Sequence, residues 1–433
     1  MAALPNTAVP VAEHATIEPS QTALEKNAAD FEHIYSDGGS RAWFTVFGAW
    51  LSTFAVFGLP ATYGVFETYY VTKYLPERSS SEVAWIGSVQ ICLMFVMGLV
   101  VGRAFDRGHF HALMISGSLL YVFGLFMLSL SSRYYQIFLS QGVACGLGLG
   151  LCFLPTAAVL AQHFKRKRAL AVGIAYTGSS VGGIVFTIVL NKLFSHSFGL
   201  AVRVTAAIVG AALLVANLVM RTGARTIPRK SPNPMRFFLD RDYSLGLTAL
   251  CLQSLAIYFP VFYIQLDAER HGVDKNLASY TLTIYNAASV PGRILPNILA
   301  DRFGVLNVTV CFSVFSGVIV LGMLGINNSN ARALTITIGA FYGFTSGTLL
   351  AMVGAIIPAL SRSVHEVGLR TGVAFLCMGL FNLLGGPLQG WLLGPNYEWW
   401  RAITFSSVLL IATAAFMAGA RRDVARRQGS PRV

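Results

Sequence analysis

The sequence predicts an all-α polytopic membrane protein with twelve transmembrane helices in two six-helix bundles. Three observations lead there. Of 433 residues, 55% are hydrophobic and 12% charged, where a soluble domain carries about 25% charge. The apolar residues fall in runs of about 20, long enough to cross a hydrocarbon core of roughly 30 Å as a helix. One motif also occurs twice, each time ending an apolar helix: Gly98-x3-Gly102-x3-Asp106-Arg107-Gly108, and Asp301-Arg302-Phe303-Gly304.

The runs predict helices near residues 43–70, 83–103, 110–130, 135–164, 169–190, 200–220, 243–266, 277–300, 306–326, 333–360, 369–393 and 402–418. They divide the chain into a flexible cytoplasmic N-terminal tail (1–40), an N-terminal bundle (41–221), a basic linker (222–241), a C-terminal bundle (242–421) and a cytoplasmic tail (422–433). Residues 1–40 are polar and aperiodic, without the apolar core of a signal peptide.

The net charge of +13 raises the question of nucleic acid. The placement of the charges answers it. With the N-terminus inside, 22 Lys and Arg fall in cytoplasmic segments, among them Lys165-Arg166-Lys167-Arg168, and 9 fall outside. That bias follows the positive-inside rule and puts both termini in the cytoplasm. No nucleic-acid partner is expected; the bilayer is.

In the first helix, Trp43 suits the interface. Pro60, Tyr63 and Glu67 follow toward its outer end. Glu67 is the one acid in that apolar run and reads either as an interfacial carboxylate in water or as a protonatable group on the central cavity. Glycines spaced by four in the fourth helix (Gly142, Gly146, Gly150), the fifth (Gly178, Gly182) and the eleventh (Gly386, Gly390, Gly394) let neighbouring backbones approach. Gly146-x-Gly148-x-Gly150 follows no strand and lacks the third-glycine spacing of a dinucleotide site, so no cofactor is expected. The six cysteines lie within predicted spans without metal-ligand spacing and read as small packing residues.

The halves correspond beyond the Asp-Arg turns. Asp106 and Asp301 are 195 residues apart; Arg168 and Arg370, each opening a glycine-bearing helix, are 202 apart. Two six-helix repeats joined by a short linker form the layout of a secondary transporter, with its substrate site near the midplane between them.

The eighth helix carries Arg293 between Pro291 and Pro296. An arginine inside a membrane segment costs roughly 2.5–3.5 kcal/mol on insertion scales and marks a functional site by default. Snorkelling to the headgroups is the alternative, but Arg293 lies roughly 12 Å from the helix end at 1.5 Å per residue, long for one side chain. A planar guanidinium holds a carboxylate bidentately. The prolines free the carbonyls of Ala287 and Gly292, which must line a cavity or be covered by protein. Tyr63, Glu67, Tyr285, Asn286 and Asn382 join Arg293 as candidate substrate-binding residues. Asp106, Arg107, Asp301 and Arg302 read as gating structure, the acids facing helix N-termini and the arginines pairing across cytoplasmic helix ends. His163 reads as a solvated interfacial residue, and the sequon at Asn327 as too close to the membrane for glycosylation.

These residues resemble the major facilitator superfamily. Within it, Asp37-Gly38-Gly39-x-x-Ala42-Trp43 resembles the opening signature of the monocarboxylate-porter family. Gly292-Arg293 with Asp301-Arg302-Phe303-Gly304 resembles that family's eighth helix and following loop in its fungal members. Leu154-Pro155 with Gln162-His163-Phe164 and Arg168-Ala169-Leu170-Ala171-x-Gly173 fits the same group. The resemblance implies transport of an organic anion by alternating access. Two positions depart: animal lactate carriers have an aspartate where Ser289 stands and a lysine where Ala61 follows Pro60. Those groups carry the family's proton-coupled lactate mechanism. Fungal members include riboflavin carriers and transporters of secondary metabolites, which points to a larger anion. The drug–proton antiporter branch shows Gly-Pro in the fifth helix, which Gly178–Gly183 lacks.

The sequence reading is therefore a secondary active transporter of an organic anion, not an enzyme, expected in the plasma membrane rather than the vacuole, with proton coupling left open. A riboflavin-type importer is the alternative among transporters. A non-transporting nutrient sensor is the rival from another class, disfavoured by the short linker and C-terminal tail. Paired intramembrane aspartates, His-Glu-x-x-His and Gly-x-Ser-x-Gly are all absent, which ranks an enzyme last.

Overall fold

The computed structural model describes residues 38–164, 168–222, 234–326, 330–362 and 366–430. Among them the chain forms twelve long helical spans: α1 (Ser40–Tyr74), α2 (Ser80–Phe105), α3 (Phe110–Leu130), α4 (Tyr134–Leu160), α5 (Ala171–Leu193), α6 (Phe198–Val219), α7 (Arg241–Arg270), α8 (Lys275–Phe303), α9 (Val305–Gly325), α10 (Ala331–Leu360), α11 (Val367–Leu393) and α12 (Trp399–Gln428). Eleven are both long and apolar enough to cross a membrane; α8 has the length, 29 residues, but not the hydropathy. Its polar Asn286 and Ser289 are buried against protein, while Ile294, Leu295, Ile298 and Leu299 stand exposed on its other face.

In α3, α6 and α9, as in α11, 39% of the apolar window is covered, against 67% in α1 and 72% in α7. Leu119, Phe123, Leu214, Leu218, Phe315 and Val318 stand exposed on those three outer helices, as lipid-facing side chains do. The halves meet through α5 on α8, α2 on α11 and α1 on α7.

Both α1 and α7 break at a proline. A 3-10 turn runs Pro60–Thr62 in α1; in α7 the first segment stops at Ala256 and a second begins at Phe259-Pro260. Proline withholds a donor and its ring clashes with the preceding turn, so the axis bends there.

The glycine stripes act where expected, with one exception. A Cβ on Gly146 would stand 3.0 Å from Gln90 of α2; one on Gly390 would stand 2.7 Å from the Ser81 backbone, and one on Gly386 2.5 Å from Ser88 Oγ. Gly394 is not part of that stripe's packing: at φ +63 it ends α11 in a positive-φ conformation that glycine adopts at least cost. Gly108 (φ +91) and Gly304 (φ +95) do the same in the repeated Asp-Arg turns.

Hydrogen bonds between the halves gather at the end opposite the Asp-Arg turns. Ser81 Oγ donates to the Pro387 carbonyl at 2.8 Å, Asn191 Nδ2 to Ser279 at 2.9 Å, and Gln265 Nε2 to Asn191 Oδ1 at 3.2 Å. At the Asp-Arg end, α12 runs on through most of the segment expected as a tail. Arg421 bonds Asn307, Asp423 pairs with Arg241 at 3.3 Å, and Arg427 pairs with Asp242. Residues 1–37, most of the linker, the basic run 165–167 and the sequon lie outside the described residues.

Candidate functional site

Arg293 points from α8 across to α5. Its Nη1 donates to the Tyr176 carbonyl at 3.3 Å and to Ser179 Oγ, while its enclosed Nε has no protein partner. Both acceptors are neutral, and Arg293 forms no ion pair among the described residues. Tyr176, Tyr258 and Tyr285 surround the guanidinium. Tyr176 also packs with Ser52, Thr53, Phe57, Phe153 and Thr156 around a small space among α1, α4 and α5, too tight for a water molecule. The Phe57 ring stands 5.1 Å from Phe153 and 5.9 Å from Tyr176.

The rest of α8 supports this placement. Ser289, one turn before Arg293, meets Ser180 of α5 at 2.8 Å. Pro296 cannot donate to the Gly292 carbonyl; Thr348 Oγ1 of α10 does so instead, at 2.8 Å. That covers one of the two carbonyls expected to be freed. Ser346 Oγ donates to the Tyr285 hydroxyl at 3.0 Å, and the Tyr285 ring stacks on Tyr342 at 6.1 Å. Asn286 bonds its own helix at Leu282 and fills the space that Gly183 of α5 leaves. Arg293, Tyr285 and Asn286 thus share one helix at the seam between halves.

The other candidates stand apart from that group. Asn382 lies on α11 between Gly379 and Gly386, the glycines against which α2 packs, with its carbonyl oxygen buried and unbonded. Tyr63 and Glu67 belong to the opposite end. The Tyr63 hydroxyl donates to the Val83 carbonyl at 2.6 Å and its ring packs 4.7 Å from Phe262. Glu67 is fully buried, and neither carboxylate oxygen has a protein hydrogen bond. It is not the solvated interfacial carboxylate that its position near a helix end suggested, because α7 covers it.

At the Asp-Arg end, Arg107, Asp301 and Arg302 are exposed and form no ion pair among the described residues. The Asp106 side chain lies outside the described part. His163 is buried rather than solvated, its Nε2 2.7 Å from the Arg221 carbonyl. Of the six cysteines, Cys92, Cys145, Cys152 and Cys251 are buried, and Cys311 is exposed on the outer helix α9.

Sequence reasoning missed an ionic cluster on the C-terminal half. Arg370 is 1% exposed, pairs with Asp240 and at 2.9 Å with Glu366, and lies over the rings of Phe237 (4.6 Å) and Tyr243 (4.8 Å). Arg362 reaches Asp240 at 3.0 Å. It missed a second repeat as well. Pro60-x2-Tyr63-x3-Glu67 of α1 recurs 200 residues on as Pro260-x2-Tyr263-x3-Asp267 of α7, and both acids are buried.

Comparison with known proteins agrees with this architecture. The family model of the Major Facilitator Superfamily matches residues 42–268 and 244–432. The chain is 37% identical over 359 residues to MFS-type transporter 1 of an Ophiocordyceps species, covering 82% of this chain and 79% of that one. It is 33% identical to the aspyridones efflux protein of Emericella nidulans (89% and 79% covered) and to the agnestins efflux protein of Paecilomyces divaricatus (96% and 95%). Among solved structures it superposes on the nucleoside transporter NupG with a TM-score of 0.64 at 11% identity (88% and 99% covered). For a bacterial Spinster homologue the TM-score is 0.62 at 15% identity (89% and 98%). The chain is a multi-pass membrane transporter that belongs to the Major Facilitator Superfamily.

Proposed function

We propose that this transporter moves an organic anion, monocarboxylate-like or a larger secondary metabolite, by alternating access, with Arg293 as the anion-binding group. One observation carries the reading: a guanidinium at the seam between the halves has only neutral acceptors and an enclosed, unbonded Nε. A desolvated cation without a counter-charge is costly. An incoming carboxylate supplies that charge and the bidentate geometry that arginine prefers. Tyr285 and Asn286 precede Arg293 on α8.

The Asp-Arg end is cytoplasmic in this reading, and the membrane is the plasma membrane. Asp106, Arg107, Asp301 and Arg302 then pair across helix ends when the cytoplasmic side shuts. Relatives named as efflux proteins support outward transport. The Asp37–Trp43 segment and the helix-eight arginine support the fungal monocarboxylate-porter branch.

The test is metabolite profiling of cells and medium from a deletion strain carrying wild type, Arg293→Gln or no protein, at matched membrane levels. One anionic metabolite should build up in deleted cells and fall in the medium, and Arg293→Gln should not reverse this. Full rescue by Arg293→Gln removes the arginine from the site. Loss of uptake of an external compound makes the protein an importer, riboflavin-type carriers included. Unchanged pools favour the sensor.

A further inference from the structure

We propose that Glu67 is a proton-binding site, protonated while the end opposite the Asp-Arg turns is shut and ionised when that end opens. The proposal rests on the alternating-access reading and adds to it a proton site that sets the opening equilibrium at that end.

The argument begins with the second repeat. Each half places an acid seven residues beyond a helix-breaking proline, on the paired helices α1 and α7. Tyr63 and Tyr263, one turn before the acids, both donate to backbone carbonyls on the helices that close this end, Val83 of α2 and Gly386 of α11. The acids therefore sit within the closure. They differ in one respect. His271, one turn past Asp267, places Nδ1 3.0 Å from Asp267 Oδ1 and opens onto the surface. The corresponding position after Glu67 is Val71.

Glu67 is left without a counter-charge. Its titratable neighbours are Tyr63 and Tyr70 on α1, Tyr263 on α7 and, farther off, Tyr134 on α4. Among the described residues, α2, α5 and α8 bring no charged side chain to it. Tyr63 and Tyr70 give their hydroxyl protons to Val83 and to Gln141 Oε1. An ionised carboxylate enclosed this way would bear its whole desolvation cost, so the closed state accommodates the neutral acid. When α1 parts from α7, Glu67 meets water and transfers its proton to it, leaving carboxylate and hydronium. Closure takes one proton back from the same side. By linkage, one proton released on opening changes the open-to-closed ratio about tenfold per pH unit in the range where the closed form is protonated and the open form ionised.

Hydrogen–deuterium exchange on the full chain in liposomes reads this without a known substrate. After correction for intrinsic exchange, protection across residues 60–75 and 258–272 should fall about tenfold per pD unit between pD 6 and 8. Glu67→Gln should flatten the response, and Glu67→Asp should keep it. Infrared spectroscopy at neutral pH gives a readout in wild type: a protonated-carboxyl stretch that Glu67→Gln removes. An undiminished pD response in Glu67→Gln, or no such band in wild type, overturns the proposal. Arg293→Gln should keep the pD response, so failure of the anion site and failure of the proton site are read separately.

Discussion

Ser180 Oγ of α5 and Ser289 Oγ of α8 lie 2.8 Å apart, a single hydrogen bond joining the two halves one turn from Arg293. The resemblance to the monocarboxylate-porter family sets Ser289 where its animal lactate carriers have an aspartate. A serine there can hold the seam without neutralising the arginine. Ser289→Asp would put a carboxylate one turn from the guanidinium, in a site where close opposite charges attract strongly. Transport of the anion found by profiling should drop at least about tenfold, a barrier change of about 1.4 kcal/mol. Ser289→Ala should retain most of it. Unchanged flux in Ser289→Asp would show that Arg293 does not need to be free.

Arg370 gives a stability prediction. Arg370 is enclosed, while its partners Asp240 and Glu366 are partly exposed and Asp240 also pairs with Arg362. Arg370→Ala should therefore cost less than the roughly 3–5 kcal/mol of a fully buried pair, read as a lower unfolding midpoint in detergent, while Arg293→Gln should leave that midpoint near wild type. Equal loss in both would mean that Arg293 is itself a structural arginine.

Much of this molecule can be read from its residues, and the limits have physical causes. Run length and the paired Asp-Arg turns reveal twelve helices and a duplication, because each is a local property. Arg293 stands out because charge in an apolar run is costly wherever it points. That it reaches Ser179 and Tyr176 depends on how one half packs against the other, and no local pattern encodes that. Arg370 opens a helix after a polar loop and so reads as solvated; its partner Asp240 is 130 residues away. The Arg-rich end of α12 reads as a tail because its acceptors, Asn307 and Asp242, lie on other helices. The Pro-Tyr-acid repeat has an offset of 200 residues against 195 for the Asp-Arg turns, so the two repeats do not share one register.

Thr348 tests the proline geometry of α8. Its single hydroxyl proton is shared between the Gly292 carbonyl at 2.8 Å and the Phe344 carbonyl of its own helix at 2.9 Å. Thr348→Val keeps the shape and removes the hydroxyl, leaving a buried acceptor unpaired at a cost of about 1–3 kcal/mol. Thr348→Ser should restore most of the loss. A thermal midpoint unmoved by Thr348→Val would mean that another group satisfies that carbonyl.

His271 supplies the pH dependence. The Asp267 carboxylate, 3.0 Å from Nδ1, raises the imidazole above its ordinary value, outweighing the opposing effect of its partial burial. A histidine raised in the folded state adds stability below its unfolded value, about 6.5, and loses it as pH climbs through the raised folded value. Wild type should therefore lose stability relative to His271→Gln as pH rises from about 6.5, a gap read from paired unfolding midpoints. A pH-independent gap would exclude a titrating pair.

The exposed Asp-Arg turns give the last prediction. Arg107, Asp301 and Arg302 have no ion-pair partner among the described residues while the opposite end is joined by hydrogen bonds. If their pairing belongs to the alternate state, neutralising one removes stabilisation from that state alone. Surface ion pairs contribute about 0–1 kcal/mol each, so the static fold should hardly register the change. The equilibrium between states should register it, because a two-state ratio shifts about fivefold per kcal/mol. Asp301→Asn should therefore leave the unfolding midpoint within error of wild type and slow net transport several-fold. It should also lower hydrogen-exchange protection at residues 98–108 and 299–306, where the shut cytoplasmic state would be lost. A fall in thermal stability matching the fall in transport would assign Asp301 to the fold, and unchanged protection with slowed transport would move its role to the substrate path.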